Sequence, residues 1–159
     1  MDNPIIRRAK ESELEIIQEL SRQLFLHDER FTGQFLNMNW PFEKAGEDYF
    51  RKRIDSEGGV CLVAEINGEV VGYLAGGIIK TYPYRTVKKM SELENMLTRE
   101  EFRGQKIGKK LFEEFVNWSK SQGVERIKVS AASDNLRAIK FYEKVGFVPF
   151  AAELEYEIK

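Results

Sequence analysis

The chain has 159 residues, 42% of them apolar and 32% charged, and its 25 basic and 26 acidic side chains leave a net charge of −1. That length suits a single domain over residues 1–159, long enough to bury about 70% of its extended surface. The charge balance argues against a nucleic-acid binder, which carries a basic excess, and no apolar run approaches the roughly 18 residues of a membrane span. The basic clusters at Arg7-Arg8, Arg51-Lys52-Arg53 and Lys88-Lys89 all have acids close by and read as solvated surface. Cys61 is the only cysteine, which excludes an internal disulfide and a cysteine-rich metal site and suits a reducing cytoplasm. Met1–Lys10 lacks the apolar stretch of a signal peptide, so a cytoplasmic protein is expected.

In chain order, a short strand is expected around Pro4–Ala9. Ser12 and Glu15 then stand at capping-box spacing, and Leu14, Ile17, Leu20 and Leu24 recur at helical spacing. A second helix runs from about Phe42 to Asp55 and stops at Gly58-Gly59. Cys61–Ile66 and Val70–Ile79 are β-rich runs joined by Asn67-Gly68, a strong hairpin signal. A further strand covers Lys88 to Thr98. Ile107, Leu111, Phe112, Phe115 and Val116 mark an amphipathic helix ending near Gln122-Gly123. Ile127, Val129 and Ala131 alternate with polar residues as in a strand, Leu136–Val145 is a short helix closed by Gly146, and Phe147–Ile158 holds a last strand. The order β-α-α-β-β-β-α-β-α-β implies an α/β (α+β) fold with a mixed sheet and helices on its faces.

One turn in this order has chemical meaning. Arg103-Gly104-Gln105-Lys106-Ile107-Gly108 lies where a strand passes into a helix. Unpaired N–H groups and the aligned peptide dipoles of a helix start attract an anion, and glycine lets the backbone come close to it. Lys109 and Lys110 add positive charge. A plain strand-to-helix turn with basic surface residues fits the same letters, and the turn alone does not separate the two readings.

The segment resembles the Arg/Gln-x-x-Gly-x-Gly/Ala motif of the GNAT superfamily of N-acetyltransferases, with Arg103 in the first place, Gly108 in the last, and Lys106 where glycine is usual. A second motif is independent of it. Asn135, Ala138, Phe141, Tyr142, Gly146 and Phe147 match Asn-x-x-Ala-x-x-Phe/Leu-Tyr-x-x-x-Gly-Phe position for position. Together the matches extend from about Leu62 to Phe150. The resemblance implies a mostly antiparallel central sheet of about six to seven strands, flanked by helices on both faces. It implies acetyl-coenzyme A as co-substrate, held by Met96, Leu97, Thr98, the Arg103–Lys109 turn (Arg103, Gly104, Gln105, Lys106, Ile107, Gly108, Lys109), Asn135 and Tyr142, with no metal. The acceptor would be an amine, and dimers are common in that family, so a homodimer is among the expectations.

Acetyl transfer to an amine needs a base for the ammonium, a donor for the thioester oxygen and a proton for the leaving thiolate. The resemblance assigns the thioester oxygen to a backbone N–H of Met96 or Leu97 and the acid to Tyr142. Glu92 and Glu94 lie two apart on a strand, share a face with Met96, and are the candidate bases, Glu94 aligning better; a water chain or an amine arriving neutral are alternatives. Asn135, after Asp134, suits a helix cap as well as a coenzyme contact. Cys61 lies in an apolar run and reads as inert core, which favours direct attack in a ternary complex over a covalent acetyl-enzyme. His27 reads as a helix-end surface residue. The aromatic stretch Phe25, Phe31, Phe35, Trp40 and Phe42, with Tyr82 and Tyr84, suits either an acceptor pocket or a cap on the core. A regulatory acetyl-coenzyme A binder without turnover, or an acyltransferase using a longer acyl group, are the rival functions.

Overall fold

A computed structural model describes residues 2–159. Its sheet has five strands in the order β1 (Ile5–Arg8), β2 (Gly59–Ile66), β3 (Glu69–Ile79), β4 (Met90–Thr98) and β5 (Arg126–Val129). Neighbours from β1 to β4 are antiparallel, whereas β5 joins β4 in parallel. A parallel pair cannot be closed by a hairpin, and the helix α3 (Ile107–Ser121) supplies the crossover. α1 (Leu14–Thr32) and α2 (Lys44–Asp55) fall between β1 and β2, and α4 (Leu136–Lys144) follows β5.

Each face of the sheet has its own core. Leu14, Ile17 and Leu20 of α1 and Phe50 and Ile54 of α2 bury against Cys61, Val63, Tyr73 and Ala75. On the other face Ile107, Leu111, Phe115 and Trp118 of α3 meet Val60, Leu62, Val71, Leu74 and Leu93. The split follows from the strand period: successive residues of β2 and β3 feed opposite faces, so both strands are buried almost throughout. Burying one such side chain stabilises by about 1.5–3 kcal/mol, which makes these helical stripes the main source of order. The β2–β3 hairpin turns at Asn67 (φ 50) and Gly68 (φ 81), the left-handed pair that its two-residue loop requires.

Two expectations are corrected. The first helix is entered through a 3-10 turn at Glu11–Glu13, and the capping pair is Lys10 with Glu13, not Ser12 with Glu15. The Glu13 carboxylate accepts the Lys10 N–H at 2.8 Å. It also pairs with Arg7 at 2.6 Å, as does Glu65, locking β1 to β2 and to the head of α1. The Arg7 guanidinium holds the Glu13 carboxyl below its ordinary value. The second correction concerns strand number: five form rather than six to seven, because residues 147–159 enter no ladder. Their alternation is that of a strand, but a strand exists only where an edge takes its hydrogen bonds.

Candidate active site

The site begins with an irregularity in β4. Opposite Ala75 and Gly76 of β3 the pairing jumps from Asn95 to Leu93, leaving Glu94 unopposed. A bulge of this kind bends the strand and inverts its alternation. Glu94 and Asn95 therefore both reach Tyr49 of α2. Met96 packs with Leu93 in the α3-side core, and Leu97 joins the α1-side core. Glu92, opposite Gly77, keeps the face of Glu94, but Met96 does not, contrary to the sequence expectation.

Beyond the bulge the sheet opens. Pairing between β4 and β5 ends at Leu93 with Val129, so the last residues of β4 have β3 on one side only. The Arg99 N–H donates to the Val71 carbonyl at 2.9 Å. By the alternation of an antiparallel ladder, the Leu97 N–H also turns toward β3, and the N–H groups of Met96 and Thr98 turn toward the gap. The Thr98 carbonyl faces the same way and accepts from Arg103 Nε at 3.1 Å. Of the three backbone positions singled out, the structure thus brings Met96 and Thr98 to the opening, while Leu97 contributes its side chain.

At the mouth of this gap lies the turn into α3. Gly104 (φ 80) and Lys106 (φ 62) are both left-handed, and Lys106 is the residue before the first turn of α3. No side chain caps that helix start, and among the described residues no N–H from Gly104 to Lys109 donates a hydrogen bond. A row of free donors at the positive end of a helix dipole, beside Arg103, Lys106 and Lys109, has the charge and geometry that suit an anion. Lys106 preserves the backbone that glycine would give there, at a steric cost on the order of 1–2 kcal/mol. Lys106→Gly is accordingly expected to raise the unfolding free energy by about 1 kcal/mol and Tm by about 2–4 °C. Thermal denaturation checks this, and a lower Tm would show that the lysine side chain compensates for its backbone.

Asn135 is the residue before α4, and Tyr142 lies on α4, packed against the α3-side core. The Asn135 side chain accepts the Ala138 N–H at 3.2 Å, so it caps the helix, and its amide edges a cleft of about 610 Å³. The same cleft takes in Leu97, Arg103, Arg137 and, from α1, His27 and Phe31. The Tyr142 ring sits edge-on between Phe141 and Phe147, 5.4 and 5.5 Å between centroids. Burial, with a smaller contribution from the negative Asp28, pushes its phenol up to about 12. Burial raises the carboxyl of Asp28 on α1 as well. Arg137 escaped sequence reasoning as a site residue. Arg137 sits two after Asn135 in the first turn of α4, a usable signal.

Glu94 is less free than its position in the sequence suggests. Arg53 grips it at both oxygens, Nη2 to Oε1 at 2.6 Å and Nε to Oε2 at 3.1 Å, and the Tyr49 hydroxyl donates to Oε2 as well. Asn95 closes the cluster by donating to the Tyr49 oxygen at 2.9 Å. Among the described residues, the ion pair of Glu92 is with Lys128 of β5, at 3.7 Å. His27 is a cleft residue with Nδ1 3.4 Å from Asp28, more interior than a surface helix end. Cys61 is fully buried and its thiol is pushed up to about 12, which makes it unreactive. The aromatic stretch divides: Phe25 and Trp40 stack toward the core, Phe31 lines the cleft, and Phe35 is exposed.

A mixed sheet split beside an uncapped helix start, with a capping asparagine at the cleft beside it, is the architecture of this site. The comparisons with known proteins place it more narrowly. The family model described as Acetyltransferase (GNAT) family matches residues 16–147, and the chain belongs to that family. The spore coat polysaccharide biosynthesis protein SpsD of Bacillus subtilis (strain 168) is 27% identical over 146 residues, covering 91% of this chain and 47% of that one. The chain spans 27% to 65% of the length of the curated relatives it matches. The tetramutant of the BH1408 protein from Bacillus halodurans shares the fold with TM-score 0.83 at 22% identity, over 97% of this chain and 99% of that one. The aminoglycoside N-acetyltransferase AAC(6')-Iy, solved in complex with CoA, superposes with TM-score 0.79 at 16% identity, over 100% of this chain and 97% of that one.

Proposed function

We propose that this chain moves an acetyl group from acetyl-coenzyme A to a primary amine of a small molecule or peptide, by direct attack in a ternary complex. The observation that carries the reading is the run of free N–H donors from Gly104 to Lys109, opening onto the split between β4 and β5. A diphosphate satisfies those donors, and an extended amide-bearing arm can take the bare edge of β4 at Met96 and Thr98. The residues present therefore fit coenzyme A. When bound, the acetylated coenzyme supplies the activated thioester. Arg103, Gly104, Gln105, Lys106, Ile107, Gly108 and Lys109 hold its phosphates, and Asn135 offers an amide from the other wall.

The Met96 N–H is the donor assigned to the thioester oxygen, worth about 3 kcal/mol if it acts as a preorganised oxyanion contact. Tyr142 is the acid: its phenol, raised to about 12, is fully protonated at neutral pH and available to a leaving sulfur. Glu94 is the assigned base, oriented by Arg53 and Tyr49. Burial of Cys61 supports direct attack, since no reactive thiol is at hand to carry an acetyl group. Acceptor complexes of the neighbours point to a cationic amine: AAC(6')-Iy was solved with a bisubstrate analogue of CoA and acetylneamine, and another neighbour with sisomicin. Glu100 and Glu101 at the cleft and Asp28 beside it supply matching negative charge.

Acetyl-coenzyme A in hundredfold excess over its Kd is expected to stabilise the fold by about 2.7 kcal/mol, a readily measured rise in Tm. No shift at millimolar ligand would sink the reading. An amine panel with detection of released thiol then identifies the acceptor, and release that no amine accelerates would favour a regulatory binder.

A further inference from the structure

The cleft of about 610 Å³ beside the split carries charge that the fold leaves unanswered. Arg30 reaches it from the last turn of α1, Arg99 and Arg103 from the segment after β4, and Arg137 from α4. Glu100 and Glu101 share the lining. Of these six side chains only Arg99 forms an ion pair among the described residues, and its partner, Glu69, does not line the cleft. Both signs of charge are therefore present in one cavity without neutralising each other.

The guanidinium groups are held in place by bonds that leave donors over. Arg30 Nε donates to the His27 carbonyl at 3.1 Å, and the group lies 5.9 Å from the centre of the Phe31 ring. Arg103 Nε donates to the Thr98 carbonyl, also at 3.1 Å. Each bond fixes the arm and leaves the outer Nη donors to a ligand. Arg99 Nε is buried with no hydrogen-bond partner among the described residues. A buried donor without an acceptor costs about 1–3 kcal/mol, which a bound anion would relieve.

The cleft lies on the α1 side of the sheet, where Leu97 joins the α1-side core. The free N–H donors from Gly104 to Lys109 open α3, which covers the other face. A coenzyme on those donors leaves the α1 side to the second substrate of a ternary complex. Resting on the acetyl-transfer reading above, we propose that the acceptor carries a carboxylate as well as its amine. A purely cationic acceptor answers Glu100 and Glu101 but meets the arginines, whereas an amine with a carboxylate satisfies both signs. Arg30, Arg99 and Arg137 hold the carboxylate, since the guanidinium fork matches its two oxygens. Leu97 is three residues from Glu94, about 10 Å of strand, so a chain of several methylenes carries the amine from the cleft to the base.

ω-Amino acids of increasing chain length, each beside its primary amide, test this, because every pair differs only in the carboxylate. Titration calorimetry on the protein saturated with coenzyme A reads the site without turnover, and released thiol with acetyl-coenzyme A reads transfer. The best acid is expected to exceed its amide by about tenfold or more in both affinity and kcat/KM. Arg30→Gln combined with Arg137→Gln should erase that preference and leave the Kd for coenzyme A within about twofold. Both positions are exposed, so the fold should persist, and circular dichroism checks it. Equal or undetectable binding of acids and amides overturns the proposal. A double variant that weakens coenzyme A as much as the acid also overturns it, since the arginines would then serve a phosphate of the coenzyme. Selective binding of an acid that is never acetylated rejects the transfer reading instead and leaves the carboxylate site standing.

Discussion

Tyr142→Phe is expected to lower kcat with a cognate amine by about a hundredfold or more while leaving the KM for acetyl-coenzyme A and the fold nearly unchanged. The ring is packed between Phe141 and Phe147, and phenylalanine keeps those edge-on contacts. Only the hydroxyl goes, so a loss confined to kcat reads the proton and not the packing. The pH dependence adds a second check. Because the folded phenol is raised to about 12, above the ordinary value near 10, wild-type kcat should show no alkaline limb from Tyr142 below about pH 11. The sign for stability follows from the same shift. The buried neutral phenol favours folding fully below the unfolded value, and that contribution is lost as pH rises through 12; Tyr142→Phe should remove this slope. Unchanged kcat in the variant dismisses the acid role.

Glu94→Gln should cost stability as well as activity. Its carboxylate answers the Arg53 guanidinium at both oxygens, and the two side chains are 16% and 20% exposed. Removing one charge leaves the other half-buried and unanswered, a loss of about 3 kcal/mol, which for a chain of this size lowers Tm by roughly 6–12 °C. Calorimetry reads that loss, and pairing Glu94→Gln with Arg53→Met should recover most of it. Turnover separates the roles. If Glu94 takes the proton of the amine, the double variant regains stability but not kcat, and the acidic limb of kcat/KM disappears with the carboxylate. A double variant that regains both, or a Glu94→Gln enzyme that keeps the wild-type acidic limb, makes Glu94 a structural member of the cluster.

The parts of the site legible in the sequence are those whose physics is local. Asn67-Gly68 specifies its turn by the torsions those residues tolerate. Asn135 caps α4 through a contact three residues away, and the Arg103–Gly108 turn opens α3 through its own backbone. Ile107, Leu111 and Phe115 mark their face by spacing alone. The family could be read from such segments because a strand-to-helix turn and a helix cap are built from consecutive residues.

What the tertiary structure alone decided depends on partners distant in the chain. The bulge at Glu94 arises from the register of β4 on β3, and it moves Met96 to the other face of the sheet. The grip of Arg53 and Tyr49 on Glu94 joins residues 41 and 45 positions apart, invisible to any period. His27 and Phe31 of α1 share a cleft with Leu97 of β4 only through the packing of that helix. The tail shows the same division most plainly. The alternation within Phe147–Ile158 specifies a strand, yet a strand forms only when an edge pairs with it, and residues 147–159 enter no ladder.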